Sequence, residues 1–163
     1  LYGPGDNYHH LNSHVIAALI NKIYEAKLNS SATVNCWGSG LAKREFLYVD
    51  DLGECCLFAL ENWSRNQKNS PKDDNGQNLS FLNVGTGSEI SIKDLVKFLA
   101  EIIGYKGKFR WDKSKPDGTL LKRLDCSRIH SLGWQHKVEL KKGLEFAYLD
   151  YIKNKSSNSL REK

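Results

Sequence analysis

Short runs of β-branched and aromatic residues alternate with amphipathic segments along this chain, and that alternation restricts the fold more than any other feature. Residues 33–37 (TVNCW), 45–49 (EFLYV), 79–84 and 109–111 read as strands. The spacing predicts a helix from a cap at Asn12 or Ser13 to about Lys27. Val15, Leu19 and Ile23 form one row and Ile16, Ile20 and Tyr24 the next, with Asn21, Lys22 and Glu25 off the stripe. A second helix follows a cap at Asp50 or Asp51, with Leu52, Cys55, Cys56, Ala59 and Leu60 as its face. A third starts at Ser91, which forms a capping-box pair with Asp94 and is followed by Ile92, Leu95, Val96, Leu99, Ile102 and Ile103 before Gly104. Asp125 caps a short helix ending at Gly133. A last helix uses Leu140, Leu144, Ala147, Tyr148 and Tyr151. Strands alternating with helices imply an α/β fold. Residues 64–78 read as a polar loop and 154–163 as a disordered tail.

The chain has 163 residues, enough for one domain with a sizeable core. No apolar run reaches the length of a membrane span, no signal-peptide pattern is present, and Met is absent. A chain starting Leu1-Tyr2-Gly3-Pro4 looks like a fragment. The net charge is +5, with much of the excess after residue 105. No nucleic-acid-binding motif accompanies it, so those lysines read as a solvated surface and a nucleic-acid partner is not expected. Cys36, Cys55, Cys56 and Cys126 form no C-x-x-C pair, which argues against structural zinc and for a reducing compartment.

His9, His10 and His14 cluster beside Gly3-Pro4-Gly5. No carboxylate or Cys stands at ligand spacing from them, so no metal site is expected. His14 is an acid/base candidate, because imidazole titrates near neutrality, or a polar residue at a helix start. Arg44 follows a glycine-rich turn and suits a diphosphate, or pairs with Glu45, Asp50 or Asp51. Trp37 is an aromatic wall or a strand-end core residue. Lys22 and Lys115 by themselves are solvated lysines, and Asp117 shapes a turn. Gly85-Thr86-Gly87 lacks the length of a phosphate-binding loop, and no strand is followed by G-x-G-x-x-G. Tyr151-x-x-x-Lys155 puts two side chains on one helical face.

The segments YGPGDN, NSHVI, VNCWGSGLAKREFLYVDDL, LNVGTGSEISIKDL, WDKSKPDGT and LDCSRIHSLGW, taken in order from about Tyr2 to Tyr151, resemble the GDP-L-fucose synthase family. These are GDP-4-keto-6-deoxy-D-mannose epimerase/reductases of the extended short-chain dehydrogenase/reductase superfamily. The resemblance implies that residues 1–153 are the C-terminal part of such an α/β enzyme: its substrate-binding lobe plus the last strands and helices of the Rossmann-like parallel sheet. It makes His14 an acid/base of the epimerisation, and Lys22, Trp37, Arg44 and Lys115 contacts of a GDP-sugar. It puts the NADPH site and the catalytic Tyr/Lys pair in an N-terminal half that this chain lacks, so that the chain is inactive alone and Tyr151/Lys155 is a coincidence of spacing. It further implies a cytoplasmic homodimer. Two other readings stand beside it: an epimerase or dehydratase using another nucleotide, and a non-catalytic nucleotide-sugar module.

Overall fold

Helix α1 (Val15–Leu28) buries Ile16, Leu19, Ile20 and Ile23, the stripe that its periodicity requires. Its cap is His14 rather than Asn12 or Ser13, and no side chain caps it. The computed structural model describes residues 1–68, 70–157 and 159–161. After α1 come strands β1 (Thr33–Trp37) and β2 (Lys43–Arg44), helix α2 (Val49–Asn62), strand β3 (Ile90–Ser91) and helix α3 (Ile92–Ile103). Strands β4 (Lys108–Asp112) and β5 (Leu121–Lys122), then helices α4 (Ser127–Ser131) and α5 (Leu140–Ser156), complete the order.

The architecture is mixed α/β with parallel pairing. β1 and β4 run parallel, from Thr33 opposite Lys108 to Trp37 opposite Asp112. β2 lies between β3, antiparallel to it, and β5, parallel to it, with Arg44 opposite Lys122. The main core lies among α1, α3 and α5 over the inner face of β1. It contains Ile20, Ile23, Val34, Cys36, Leu95, Leu99, Ile103, Leu144 and Tyr151. Ser91 caps α3 as its sequence requires: its Oγ accepts from Asp94 N at 3.0 Å and donates to Asp94 Oδ2 at 2.6 Å. A second, smaller cluster joins Leu47, Cys55, Cys126, Ile129 and Trp134.

Residues 45–49 are not a strand. The Tyr2 amide donates to Leu47 O at 3.2 Å and the Val49 amide to Tyr2 O at 2.9 Å, as one parallel bridge between Tyr2 and Tyr48, because the Gly3-Pro4-Gly5 turn then carries the neighbouring chain away. Neither Asp50 nor Asp51 caps α2, whose N-cap is Tyr48. The buried Asp51 carboxylate instead accepts from the amides of Lys137 and Val138, at 3.0 and 3.1 Å. Cys56 and Leu60 face outward, so only Cys55 of the expected apolar face is buried, with Leu52 and Ala59 half-buried. Residues 79–84 form no strand, because no partner strand lies beside them among the described residues. Asn21 is buried rather than off the stripe. Its amide donates to Tyr8 O at 3.0 Å, and its Oδ1 accepts from the Tyr151 hydroxyl at 2.9 Å.

The tail expected to be disordered from residue 154 is helical through Ser156. Lys155 pairs with Glu25, and its ammonium lies 5.6 Å from the Tyr24 ring and 5.5 Å from the Tyr151 ring. Those contacts hold in place a charge that composition alone reads as solvated. Arg161 O accepts from Tyr8 N at 2.9 Å. Residues 158, 162 and 163 of the expected tail lie outside the described residues.

Candidate functional site

A cleft of about 770 Å³ opens where the start of α1, the end of β1, strand β2 and the segments flanking β5 meet. His14, Trp37 and Arg44 all line it, together with Glu45, Asp117 and Lys122. Lys22 lines an adjoining groove of about 540 Å³ instead, which shares Val15, Trp37 and Ile92 with the cleft. Lys115 lines neither cavity, but its Nζ lies 5.8 Å from the Trp37 ring.

His14 reaches the cleft because it is the N-cap of α1. Its backbone carbonyl accepts from Ala18 N at 2.9 Å, while its imidazole makes no capping bond and has no partner among the described residues. The ring is exposed and free to meet a ligand. His9 differs: its Nδ1 accepts from the amides of Leu11 and Asn12 at 3.1 and 3.2 Å, which makes it a turn-forming residue. His10 lies on the adjoining groove. Among the described residues no group of His, Cys, Asp or Glu could hold a metal ion.

Trp37 is 70% exposed, which rules out the core alternative for it. It ends β1, whose outward face also carries Thr33 and Asn35. Lys22 Nζ donates to Asn35 O at 3.2 Å. The glycine-rich turn after Trp37 is locked to the 112–119 loop. Asp117 accepts from Ser39 N at 2.6 Å and from Ser39 Oγ at 2.7 Å. These bonds, the hydroxyl's first, hold the Asp117 carboxyl below the usual carboxylate range. Gly38, at φ +74°, is required here, since a Cβ would stand 2.1 Å from Asp117 Oδ1.

Arg44 makes none of the ion pairs considered for it. Its Nη1 donates to Lys43 O at 2.7 Å and to Thr119 O at 2.6 Å, and its Nη2 to Asp117 O at 3.4 Å. The guanidinium therefore fastens the 117–119 turn to β2, and its Nε–H and one Nη2 hydrogen remain for an anion.

Lys122 was not apparent from the sequence. β5 is only two residues long and carries no alternation that would mark a strand. The register places Lys122 directly opposite Arg44 on a parallel neighbour, so both side chains project from the same face into the cleft. The Lys122 ammonium has no carboxylate partner among the described residues, whereas Arg123 beside it pairs with Glu89 at 2.8 Å. Two adjacent cations without a counterion make this wall suited to a polyvalent anion.

Neither glycine-rich turn suits a dinucleotide. Gly38-Ser39-Gly40 leads into β2 rather than a helix, and the Ser39 amide is taken by Asp117. Gly85-Thr86-Gly87 leads into β3, and the Gly87 amide donates to Glu45 Oε1 at 2.6 Å. Neither presents free amides at a helix N-terminus to a pyrophosphate, so the described residues do not fit that part of a nicotinamide cofactor.

The model of the NAD dependent epimerase/dehydratase family matches residues 1–72. A GDP-L-fucose synthase of Arabidopsis thaliana is 44% identical over 154 residues, which is 94% of this chain and 44% of the relative. A GDP-6-OMe-4-keto-L-xylo-heptose reductase from Campylobacter jejuni superposes with a TM-score of 0.83 at 31% identity, over 94% of this chain and 51% of its own. A GDP-mannoheptose C4 reductase from Campylobacter jejuni, solved with NADP bound, gives a TM-score of 0.77 at 29% identity, over 93% of this chain and 50% of its own. The chain thus spans less than half the length of the curated relatives it matches. Residues 1–72 thus match the NAD dependent epimerase/dehydratase family, and more than nine-tenths of the chain is similar in sequence and in α/β fold to GDP-sugar enzymes.

Proposed function

We propose that this chain forms the sugar-nucleotide half of a GDP-sugar epimerase/reductase, which converts GDP-4-keto-6-deoxy-D-mannose to GDP-L-fucose. The observation that carries the reading is the single cleft onto which His14, Trp37 and Arg44 all open. Arg44 and Lys122 grip the diphosphate. Trp37, with Lys115 over its ring, walls the nucleotide-sugar, and Lys22 adds positive charge from the adjoining groove.

A carbon beside a ketone is epimerised by removing its proton from one face and returning a proton to the other. His14 gives or takes one of these protons, and its unpartnered imidazole supports that role. NADPH supplies the hydride for reducing the ketone when bound. In this reading it is held by residues outside this chain, in keeping with the poor fit of both glycine-rich turns. The same reading carries a cytoplasmic homodimer. Its cytoplasmic part is supported by four unpaired cysteines, and no helix among the described residues is long and apolar enough to cross a membrane.

The test replaces His14 in the complete protein that carries this chain. His14→Ala should lower turnover by on the order of a hundredfold or more while leaving GDP-sugar affinity within a few-fold. Unchanged turnover removes His14 from the chemistry. Absence of turnover in wild type, with GDP-sugar still bound, leaves a binding module. Tighter binding of UDP-sugar than of GDP-sugar points to another nucleotide.

A further inference from the structure

Strand β2 carries Arg44 but pairs through only two residues on each side. So short a ladder cannot by itself set the spacing of Arg44 and Lys122. The next residue, Glu45, continues it with its side chain. Glu45 Oε1 accepts from Gly87 N at 2.6 Å and from Thr86 Oγ1 at 3.4 Å, just before β3. Its Oε2 accepts from Leu124 N at 2.9 Å, just after β5, and its own amide donates to Lys122 O at 3.3 Å. One carboxylate thus ties both outer strands to the central one. The site is built around it: a Cβ on Gly85 would stand 2.5 Å from Glu45 Oε1 and 3.0 Å from Cys126 Sγ.

We propose that Glu45 is a positioning residue for the anion grip: by holding the amides of Gly87 and Leu124 it fixes Lys122 beside Arg44 at the spacing a nucleoside diphosphate requires. The inference rests on the proposed function. Glu45 need not touch the ligand, because it acts through the backbone on which Lys122 stands. Only a carboxylate fits, since it offers acceptors on both sides. An amide keeps one acceptor and turns an N–H against the other backbone N–H.

The experiment measures GDP affinity by calorimetry, and KM and kcat for the GDP-sugar, in the complete protein. Glu45→Gln should weaken GDP binding and raise KM roughly tenfold, with kcat within about twofold of wild type. In a Lys122→Ala background the same change should shift affinity by less than about twofold, because the group it positions is gone. An unchanged dissociation constant, a full effect persisting without Lys122, or a fall in kcat at unchanged KM overturns the proposal. If Glu45→Gln does not fold, Gly85→Ala displaces the carboxylate while keeping its charge. It should raise KM in the same way, and unchanged affinity there overturns the proposal equally. Wild-type protein that binds no GDP overturns the proposed function and this inference with it; wild-type binding with unmoved variants overturns only the inference.

Discussion

The helical core and the cleft wall are held together by different forces. The core of α1, α3 and α5 is closed by apolar side chains that are almost wholly buried, such as Ile20, Ile23, Leu95 and Leu99. Burial acts without direction and in proportion to area. The wall around β3, β2 and β5 has two-residue strands, none of whose residues is fully buried. It is closed by side chains that bond to distant backbone: Arg44 to residues 117 and 119, Asp117 to Ser39, and Glu45 to Gly87 and Leu124. Such bonds are directional and fail one atom at a time. Damage to the core therefore lowers global stability, whereas damage to the wall displaces cleft-facing groups in a protein that stays folded.

The comparison breaks most readily in the core. Leu99→Ala should cost about 2–5 kcal/mol in denaturant unfolding, with GDP affinity of the folded protein unchanged. A loss of affinity at intact stability would join the two regions that we separate. Tyr151→Phe removes the hydroxyl that meets Asn21 Oδ1 and leaves a buried acceptor unpaired. The expected loss is about 1–2 kcal/mol, seen as a lower Tm. Ser91→Ala removes the cap of α3 and should cost about 1 kcal/mol, read as fraying of the first turn by hydrogen exchange.

The smallest effect belongs to the wall. The folded-state pKa of Asp117 lies below its ordinary value of 3.8, so its bonds to Ser39 stabilise the wall fully above that value. The contribution is lost as pH falls through the lower folded value. Acid should therefore shift the fluorescence of Trp37, two residues from Ser39, before the main core unfolds. The step should be absent in Asp117→Asn. A Trp37 change that only accompanies global unfolding would show that core and wall are one cooperative unit.

Legibility follows the same division. α3 was readable because its cap, stripe and stop all lie within one stretch of chain, and the first row of α1 was readable for the same reason. The burial of α2 is not legible in sequence, because amphipathic spacing shows which face can be buried, not whether a neighbour covers it, and Cys56 and Leu60 remain exposed. β5 was missed because two residues carry no periodicity, and Lys122 was missed along with it. Trp37 has two readings from sequence, and its exposure excludes the core one.

Local sequence determined the α/β order, the stripes of α1 and α3, the Ser91 cap and the glycine-rich turns, because helix period, capping and turn geometry act over a few residues. Tertiary structure alone placed His14, Trp37 and Arg44 on one cleft, stood Lys122 beside Arg44 and directed Glu45 toward the backbone of two other segments. Those relations join residues as much as 79 positions apart. They depend on strand register and on side-chain bonds to remote peptide groups, which no short-range pattern records.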